Sequence, residues 1–284
     1  MRANRQLAAV LAFGLLTCGS SVNADWVTIQ QDYNSYGHLG NAGENCAPTA
    51  TANSFQYLQN RYGARAGNLV PGAGTDLESA RDKLINGWTN AGGVQRAGMG
   101  SCGASAKSWW ETKAQWVEDF GTGKLKLAGQ VHLNGGANPF AGWFDGGYLQ
   151  DIFPQWDFLW TELAHGEDIE LGIRFRDGAH AITLTSLKFD DQNGNAQWDN
   201  GEARKLDYLD PNDTSRLIEA DLTILNDGSL GFRWDNGNNA ARDAYIDLAY
   251  TESVPEPGVL ALFGLALMFL FVSGMNQRKK ESSN

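Results

Sequence analysis

Residues 169–187, with the sequence IELGIRFRDGAHAITLTSL, decide the fold class of this chain. Residues 169–175 and 179–187 run apolar or alternate over strand lengths, and the dipeptide Asp177-Gly178 between them is a hairpin turn signal. More runs of this kind follow, separated by turn signals, at 205–209, 220–225, 229–234 and 244–250. The pattern predicts an antiparallel meander in the second half of the chain.

The residues before this meander have helical periodicity instead. Phe55, Leu58 and Tyr62 recur at helical spacing, and Gly63 is a helix stop signal. Helices are predicted over residues 47–62, 75–88, 104–120 and 148–164, with the last one kinked or broken at Pro154. Helices followed by an antiparallel sheet indicate an α+β fold, in which N-terminal helices pack on a C-terminal antiparallel sheet, and not a doubly wound parallel sheet.

Residues 1–24 have the three parts of a secretory signal peptide. Two arginines precede an apolar run at 7–16, which is shorter than the roughly 20 residues that a membrane-spanning helix needs. Val22-Asn23-Ala24 then supplies the small residues of a cleavage site. The alternative is a lipid-accepting cysteine within Leu15-Leu16-Thr17-Cys18. The first interpretation predicts an exported protein whose single central domain comprises residues 25–253.

Residues 254–284 form a second segment outside the central domain. Val254-Pro255-Glu256-Pro257 precedes an uncharged stretch at 258–274, and Arg278-Lys279-Lys280 follows it. The stretch predicts one transmembrane helix at the short limit of length, with the basic cluster left in the cytoplasm. The alternative is a buried core helix, which the flanking segments fit poorly.

The order of Pro-Glu-Pro motif, apolar span and basic tail resembles the PEP-CTERM sorting signal of Gram-negative envelopes. The resemblance implies that exosortase-type sorting machinery recognises the segment and cleaves it during export. The protein would then be anchored in the inner membrane before sorting. Afterwards it would lie at the periplasmic face, on the outer surface or in an extracellular matrix.

Charge and cysteine content narrow the function classes of the central domain. The net charge of the chain is −11, and the domain has no basic patch, which argues against a nucleic-acid partner. After removal of the signal peptide, Cys46 and Cys102 remain. In an oxidising compartment two cysteines predict a disulfide, which would compete with any catalytic use of either thiol.

Cys46, His180 and Asp210 are the candidate catalytic residues. Cys46 begins a predicted helix, where the positive end of the helix dipole favours the nucleophilic thiolate and Pro48 is tolerated in the first turn. His180 follows the turn at Asp177-Gly178, at the head of a strand, so its imidazole can face a helix N-terminus. Asp210 lies at the next strand end. A nucleophilic cysteine needs such a base, and the base needs an acceptor that orients it.

Three motifs in this order are similar to those of papain-like cysteine peptidases, nearest the group that processes bacteriocin leaders. They are Cys-Ala-Pro-Thr-Ala-x-x-Asn at 46–53, Gly-Ala-His-Ala-Ile-Thr at 178–183 and Asp-Pro-Asn at 210–212. The resemblance implies a papain-like fold, with Cys46 as nucleophile, His180 as general base and acid, and Asp210 as the residue that orients His180. Peptide or protein substrates would be cleaved through a thioester acyl-enzyme.

One position departs from the pattern of that family. These peptidases place a glutamine about six residues before the cysteine, where it helps to bind the oxyanion, and that position is Gly40 here. Asn41 is the candidate substitute. The alternative is a non-catalytic surface or matrix protein on the same scaffold, with a disulfide between Cys46 and Cys102. Cys102 is also a rival nucleophile, because it too precedes a predicted helix.

The segment between the His180 and Asp210 strands carries a candidate calcium loop. Its oxygen donors have the spacing of positions 1, 3, 5, 7, 9 and 12 of an EF-hand loop, the seventh through a backbone carbonyl: Asp191, Asn193, Asn195, Gln197, Asp199 and Glu202. Position 6, usually glycine, is Ala196, and predicted strands rather than helices flank the loop. The alternative is a polar hairpin loop. Bound Ca²⁺ would stiffen the connection that positions His180 against Asp210.

Overall fold

The computed structural model describes residues 25–41, 43–101, 104–133, 148–199, 201–235 and 241–254. The predicted signal peptide, Cys102 and the predicted transmembrane stretch at 258–274 lie outside these residues. Within them, no helix combines the length and the apolar character that crossing a membrane requires.

All α-helices of the described residues lie before residue 165. They are α1 (Cys46–Tyr62), α2 (Pro71–Gly74), α3 (Leu77–Asn86), α4 (Ala106–Phe120) and α5 (Trp156–Ala164). The helices predicted over 47–62 and 104–120 are confirmed to within one or two residues. α3 begins after Asp76 and not at Thr75, because the Asp76 carboxylate accepts a hydrogen bond from the Ser79 amide and caps the first turn.

The helix predicted over 148–164 is wrong in its first part. Residues Tyr148–Asp151 form a strand, β5, which pairs in parallel with β4 (Lys126–Val131). Pro154 has no amide hydrogen and biases the preceding residue towards extended backbone, so the chain is not helical through it. α5 therefore starts at Trp156.

The strands after α5 close into a barrel. They are β6 (Asp168–Phe175), β7 (Gly178–Asp191), β8 (Arg204–Asp210), β9 (Asp213–Ile224), β10 (Leu230–Trp234) and β11 (Arg242–Ser253). Each strand pairs antiparallel with the next, and β6 also pairs with β11. The predicted meander thus returns on itself, which gives each of these strands a partner on both sides.

Other strands extend this barrel or lie apart from it. β1 (Asp25–Gln30) pairs antiparallel with the end of β7, and β4 pairs antiparallel with the end of β11. The short strands β2 (Trp88–Thr89) and β3 (Gln95–Arg96) form a separate pair. The predicted α+β class is confirmed, but the β4–β5 pair is parallel, so the sheet is not purely antiparallel.

Two apolar cores hold these layers together. One includes Leu171 and Ile182 of the barrel and reaches α5. The other lies between the helices and the barrel, and includes Phe55 and Trp116. α1 is buried in this second core over most of its length and contacts β6 and β7. This packing brings the N-terminus of α1 beside the start of β7.

A buried ionic cluster also joins the helices to the barrel. Lys113 of α4 bonds to Glu170 of β6 and, at 2.8 Å, to Glu252 of β11, and none of the three side chains is exposed. Asp168 adds a third carboxylate within 4.8 Å of the other two. Burial raises the pKa of Glu170 to about 8 against the opposing effect of Lys113, and burial and Glu252 raise the pKa of Asp168. The cluster therefore retains protons near neutral pH.

Candidate active site

Cys46 is the first residue of α1 and carries a free, half-buried thiol. The imidazole of His180 and the backbone amides of Ala47 and Ala181 are the groups that act on the pKa of this thiol. Burial opposes the thiolate, but the hydrogen bond and the charge of His180, with the two amides, outweigh burial and lower the pKa of Cys46. The site therefore favours the nucleophilic form of the sulfur.

His180 is held between Cys46 and Asp210. It lies near the start of β7, opposite Ile173 of β6, and is only 7% exposed. Its Nε2 is 2.8 Å from Oδ1 of Asp210, which leaves Nδ1 as the nitrogen for the thiol. Burial opposes the charged imidazole, but hydrogen bonds to Asp210 and Cys46 raise the pKa of His180 to about 9. A lowered pKa of Cys46 and a raised pKa of His180 are the two directions that favour transfer of the thiol proton to the imidazole.

Asp210 is the last residue of β8 and is fully buried. Its Oδ2 accepts a hydrogen bond from Nε1 of Trp234 at 2.6 Å, and its Oδ1 accepts one from the backbone amide of Asn212 at 2.8 Å. The Trp234 ring also lies against the imidazole of His180, with 4.9 Å between the ring centroids. Both oxygens of a carboxylate without access to water are thereby satisfied.

The fold thus brings together three of the four residues predicted as catalytic. Cys46, His180 and Asp210 come from α1, β7 and β8, and their catalytic roles stay predictions. Trp234 was missed, because a tryptophan at the end of a predicted strand is indistinguishable from a core residue. The sequence did point to Asn212, because it is the last residue of the Asp-Pro-Asn motif at 210–212.

The side chain of Asn41, the fourth predicted residue, is hydrogen-bonded to Asn212 and Asn45. Its Nδ2 donates to Oδ1 of Asn212 at 3.0 Å, and its own Oδ1 accepts from the Asn45 amide at 2.9 Å. Asn41 therefore ties the segment before α1 to the loop after β8, and its amide hydrogen is not directed at the thiol. Gln31 does not substitute for it, because its side chain donates to the carbonyl of Leu163 in the core.

A cleft of about 450 Å³ adjoins Cys46 and His180. Its walls come from the start of α1, the beginning of α4, the end of β4, and strands β6, β7 and β11. Many of the lining side chains are small: Ala47, Ala104, Ala106, Gly172, Ala179 and Ala181. A Cβ at Gly172 would overlap the Leu248 side chain, so this position requires glycine. Small side chains therefore form much of the described wall of the cleft.

The predicted calcium loop follows β7 and is organised around Asp191. The Asp191 carboxylate accepts hydrogen bonds from the amides of Gly194, Asn195 and Ala196 at 2.7–3.1 Å. The Gln197 amide donates to Oδ1 of Asn195 at 2.7 Å. Ala196 has a φ of 55°, so the sharp turn at the sixth loop position forms without glycine.

The remaining donors of the loop bind one another or the backbone. Asn193 and Asn195 both donate through Nδ2 to Oδ2 of Asp199, at 2.6 and 2.7 Å. Glu202 accepts from the amides of Gln192 and Asp199 at 3.0 and 2.8 Å. The donor types fit Ca²⁺. Among the described residues, however, the three loop carboxylates do not all lie within 4.8 Å of one another, as those of the ionic cluster do.

Residues 253–279 match the family model of the PEP-CTERM protein-sorting motif. The match agrees with the C-terminal segment predicted from its motif, span and basic tail. The chain matches no curated protein, and no family match supports a peptidase assignment for residues 25–253. The motif implies an exported protein that an exosortase sorts and that is associated with the cell envelope.

Proposed function

We propose that this protein is an envelope-anchored cysteine peptidase of the papain-like kind, held by its C-terminal helix until an exosortase processes it. Cys46 and His180 line one cleft, and His180 is hydrogen-bonded to Asp210; this juxtaposition carries the proposal. A nucleophile, a base in contact with it and a carboxylate that orients the base are the groups that thiol-dependent peptide cleavage needs.

Acylation begins with attack of the Cys46 thiolate on the carbonyl carbon of the scissile peptide bond. A C–S bond forms, and the carbonyl oxygen takes the negative charge. The imidazolium of His180 then gives its proton to the leaving amine, and the C–N bond breaks to leave a thioester. The raised pKa of His180 supports this step, because the imidazolium is already present near neutral pH.

In deacylation His180 acts as the base, and the sulfur of Cys46 is the leaving group. Neutral His180 takes a proton from a water molecule, whose oxygen attacks the thioester carbonyl. The C–S bond breaks, the carboxylic acid product leaves, and Cys46 and His180 return to the thiolate–imidazolium pair. Asp210 does not exchange a proton in this scheme, because its part is to hold the ring with Nδ1 towards the sulfur.

The backbone amide of Cys46 is the donor that we assign to the oxyanion. It is one of the first amides of α1, which have no partner within the helix. Asn41 would be a second donor after its Nδ2 leaves Asn212. Because one side-chain donor is lacking at Gly40, we expect turnover about 100- to 1000-fold below that of a complete oxyanion hole.

Thiol alkylation and peptide cleavage by the chain without its predicted signal peptide, residues 25–284 in detergent, test the proposal, because Cys46 and Cys102 are the cysteines of that chain. We expect Cys46 to react with iodoacetamide near neutral pH without prior reduction, and Cys46→Ala to abolish cleavage of a mixed peptide pool. Cys102→Ala is the matched control and should retain cleavage. Two unreactive cysteines recovered in one cystine-linked fragment would instead establish the non-catalytic scaffold.

We also propose that the loop from Asp191 to Glu202 binds Ca²⁺. Asp191 and Glu202 are buried carboxylates, and no carboxylate of the loop forms an ion pair with a described residue. Buried carboxylates ordinarily have a cationic partner. A calcium ion would supply that charge and would stiffen the connection between β7, which carries His180, and β8, which carries Asp210.

A further inference from the structure

The cleft beside Cys46 contains an ion pair that the proposed chemistry does not use. Arg174 of β6 pairs in register with Ala179, and its neighbour Ile173 pairs with His180. Arg174 therefore shares a sheet face with Ala179 and not with His180, although its Cα is on the order of 6 Å from that of His180. Arg174 lines the same cleft as the candidate catalytic residues.

A bulge in β11 supplies the partner of Arg174. The register between β6 and β11 shifts between Ile246 and Leu248, so Asp247 is an extra residue opposite β6. Bulges next to active sites commonly re-aim a side chain. The Asp247 carboxylate accepts a hydrogen bond from Nε of Arg174 at 2.8 Å.

Both members of the ion pair line the cleft, and Arg174 is the more exposed of the two. The side chain of Arg174 is 51% exposed, whereas that of Asp247 is 12% exposed. Asp247 is bonded to Nε, and the two terminal amino groups of Arg174 form no hydrogen bond with a described residue. A guanidinium anchored at Nε has its remaining N–H groups in the fork geometry that binds a carboxylate through two hydrogen bonds.

Few other titratable side chains line the described part of the cleft. Among the described residues, the titratable side chains in its lining other than Arg174, Asp247 and His180 are Cys46 and His132. His132 stacks on Phe153, with 3.8 Å between the ring centroids. In a site with small apolar walls, a single oriented polar group determines which ligands bind.

We propose that Arg174 binds a carboxylate of the substrate, so that the peptidase prefers peptides with a carboxylate close to the scissile bond. The inference rests on the proposed function and names the substrate class for the same site. The carboxylate is either an acidic side chain or the C-terminal α-carboxylate of a short peptide. Arg174 then acts in substrate selection, and Asp247 holds it in position.

Matched peptides show whether Arg174 binds an acidic side chain or a C-terminal α-carboxylate. One set carries Glu, Gln or Lys at each position within three residues of the scissile bond, with an amidated C-terminus, and a second set has free or amidated C-termini. We expect the full-length chain to cleave a carboxylate peptide about tenfold faster than its amide counterpart in kcat/KM, mainly through KM. In Arg174→Met the ratio should fall to about one, and in Arg174→Glu lysine peptides should be preferred.

Arg176→Met is the matched control, because Arg176 lies in the neighbouring turn with 97% of its side chain exposed. It should leave the carboxylate preference unchanged. Peptidyl electrophiles with Glu or Gln report recognition without turnover, through the rate of Cys46 labelling. If Cys46 does not react at all, the peptidase proposal fails. If Cys46 reacts equally with both probes, or if Arg174→Met keeps the preference, the role of Arg174 is refuted.

Discussion

Nε2 of His180 lies 2.8 Å from Oδ1 of Asp210, and both side chains are buried. The contact fixes the orientation of the ring, because a hydrogen bond on one nitrogen determines which nitrogen faces the opposite direction. The opposite direction is that of the Cys46 thiol. The reactivity of the sulfur therefore depends on a carboxylate that does not touch it.

Replacing Asp210 with asparagine should remove the negative charge and keep the shape of the side chain. Without that charge, the pKa of His180 loses one of the interactions that raise it, and the imidazolium is less populated at neutral pH. We expect kcat/KM for peptide cleavage to fall about 100-fold or more, with little change in KM. Circular dichroism should show an intact fold, and a variant with full activity would contradict the role of Asp210.

The pH dependence of Cys46 alkylation should reveal the ion pair directly. The pKa of the thiol is lowered from its ordinary value of 9.0, so alkylation should already be rapid below pH 9. Peptide cleavage should decline as the pH rises through about 9, because His180 then loses the proton that the leaving amine needs. In His180→Ala the alkylation midpoint should move up, since burial alone raises the pKa of a thiol. A midpoint that is equal in both proteins would disprove the contact.

Trp234→Phe should destabilise the fold through Asp210. The substitution keeps a ring against His180 but deletes the N–H that donates to Oδ2 of Asp210. A buried carboxylate oxygen that loses its donor costs about 1–3 kcal/mol of the free energy of unfolding. Urea unfolding measures this loss. Trp160→Phe, a partly buried tryptophan of α5 that does not contact Asp210, is the comparison, and an equal loss in both variants would argue for a general packing effect.

The buried cluster around Lys113 should make the free energy of unfolding fall as the pH rises. The pKa of Glu170 is raised from 4.5 to about 8, so between these values the folded state holds a proton that the unfolded state has lost. The free energy of unfolding should then decrease with rising pH, by at most about 1.4 kcal/mol per pH unit for one group. The pKa of Asp168 is also raised, so its titration likewise makes the free energy of unfolding decrease with rising pH.

Glu170→Gln tests this assignment, because an amide does not titrate. The slope of unfolding free energy against pH between 5 and 8 should become less negative in this variant. Glu118→Gln is the control, since Glu118 is largely exposed on the surface. An unchanged slope in Glu170→Gln would show that Glu170 does not hold the proton.

Added Ca²⁺ should raise the melting temperature of the full-length chain, and a chelator should reverse the effect. At a calcium concentration about 100 times the Kd, binding contributes about 2.7 kcal/mol to the free energy of unfolding. Asp191→Asn and Glu202→Gln should reduce the shift, whereas Asp190→Asn, outside the donor positions, should retain it. Trp198 lies within the loop against Arg204, and its fluorescence gives a second readout. A melting temperature insensitive to both calcium and chelator would rule out the loop as a calcium site.

Local patterns were good predictors where neighbours along the chain decide the outcome. The helix starting at Cys46 and the start of the strand carrying His180 follow from apolar spacing and turn residues and agree with the structure to within one residue, whereas that strand continues four residues beyond its predicted end at Leu187. The same reasoning failed at Tyr148–Asp151, where pairing with β4 outweighed the helical pattern. It also missed the cluster around Lys113, because a lysine on a helix ordinarily lies in solvent.

The sequence by itself determined the C-terminal sorting segment and the order along the chain of the candidate site residues. A sorting motif and an apolar span are local features, which is why residues 253–279 were identified without a fold. Only the tertiary structure decided that His180 meets both Cys46 and Asp210, that Asn41 is bound to Asn212, and that a bulge directs Asp247 to Arg174. These contacts depend on strand register and on the closure of β6 against β11. Both are set by packing between distant residues, and no local pattern encodes them.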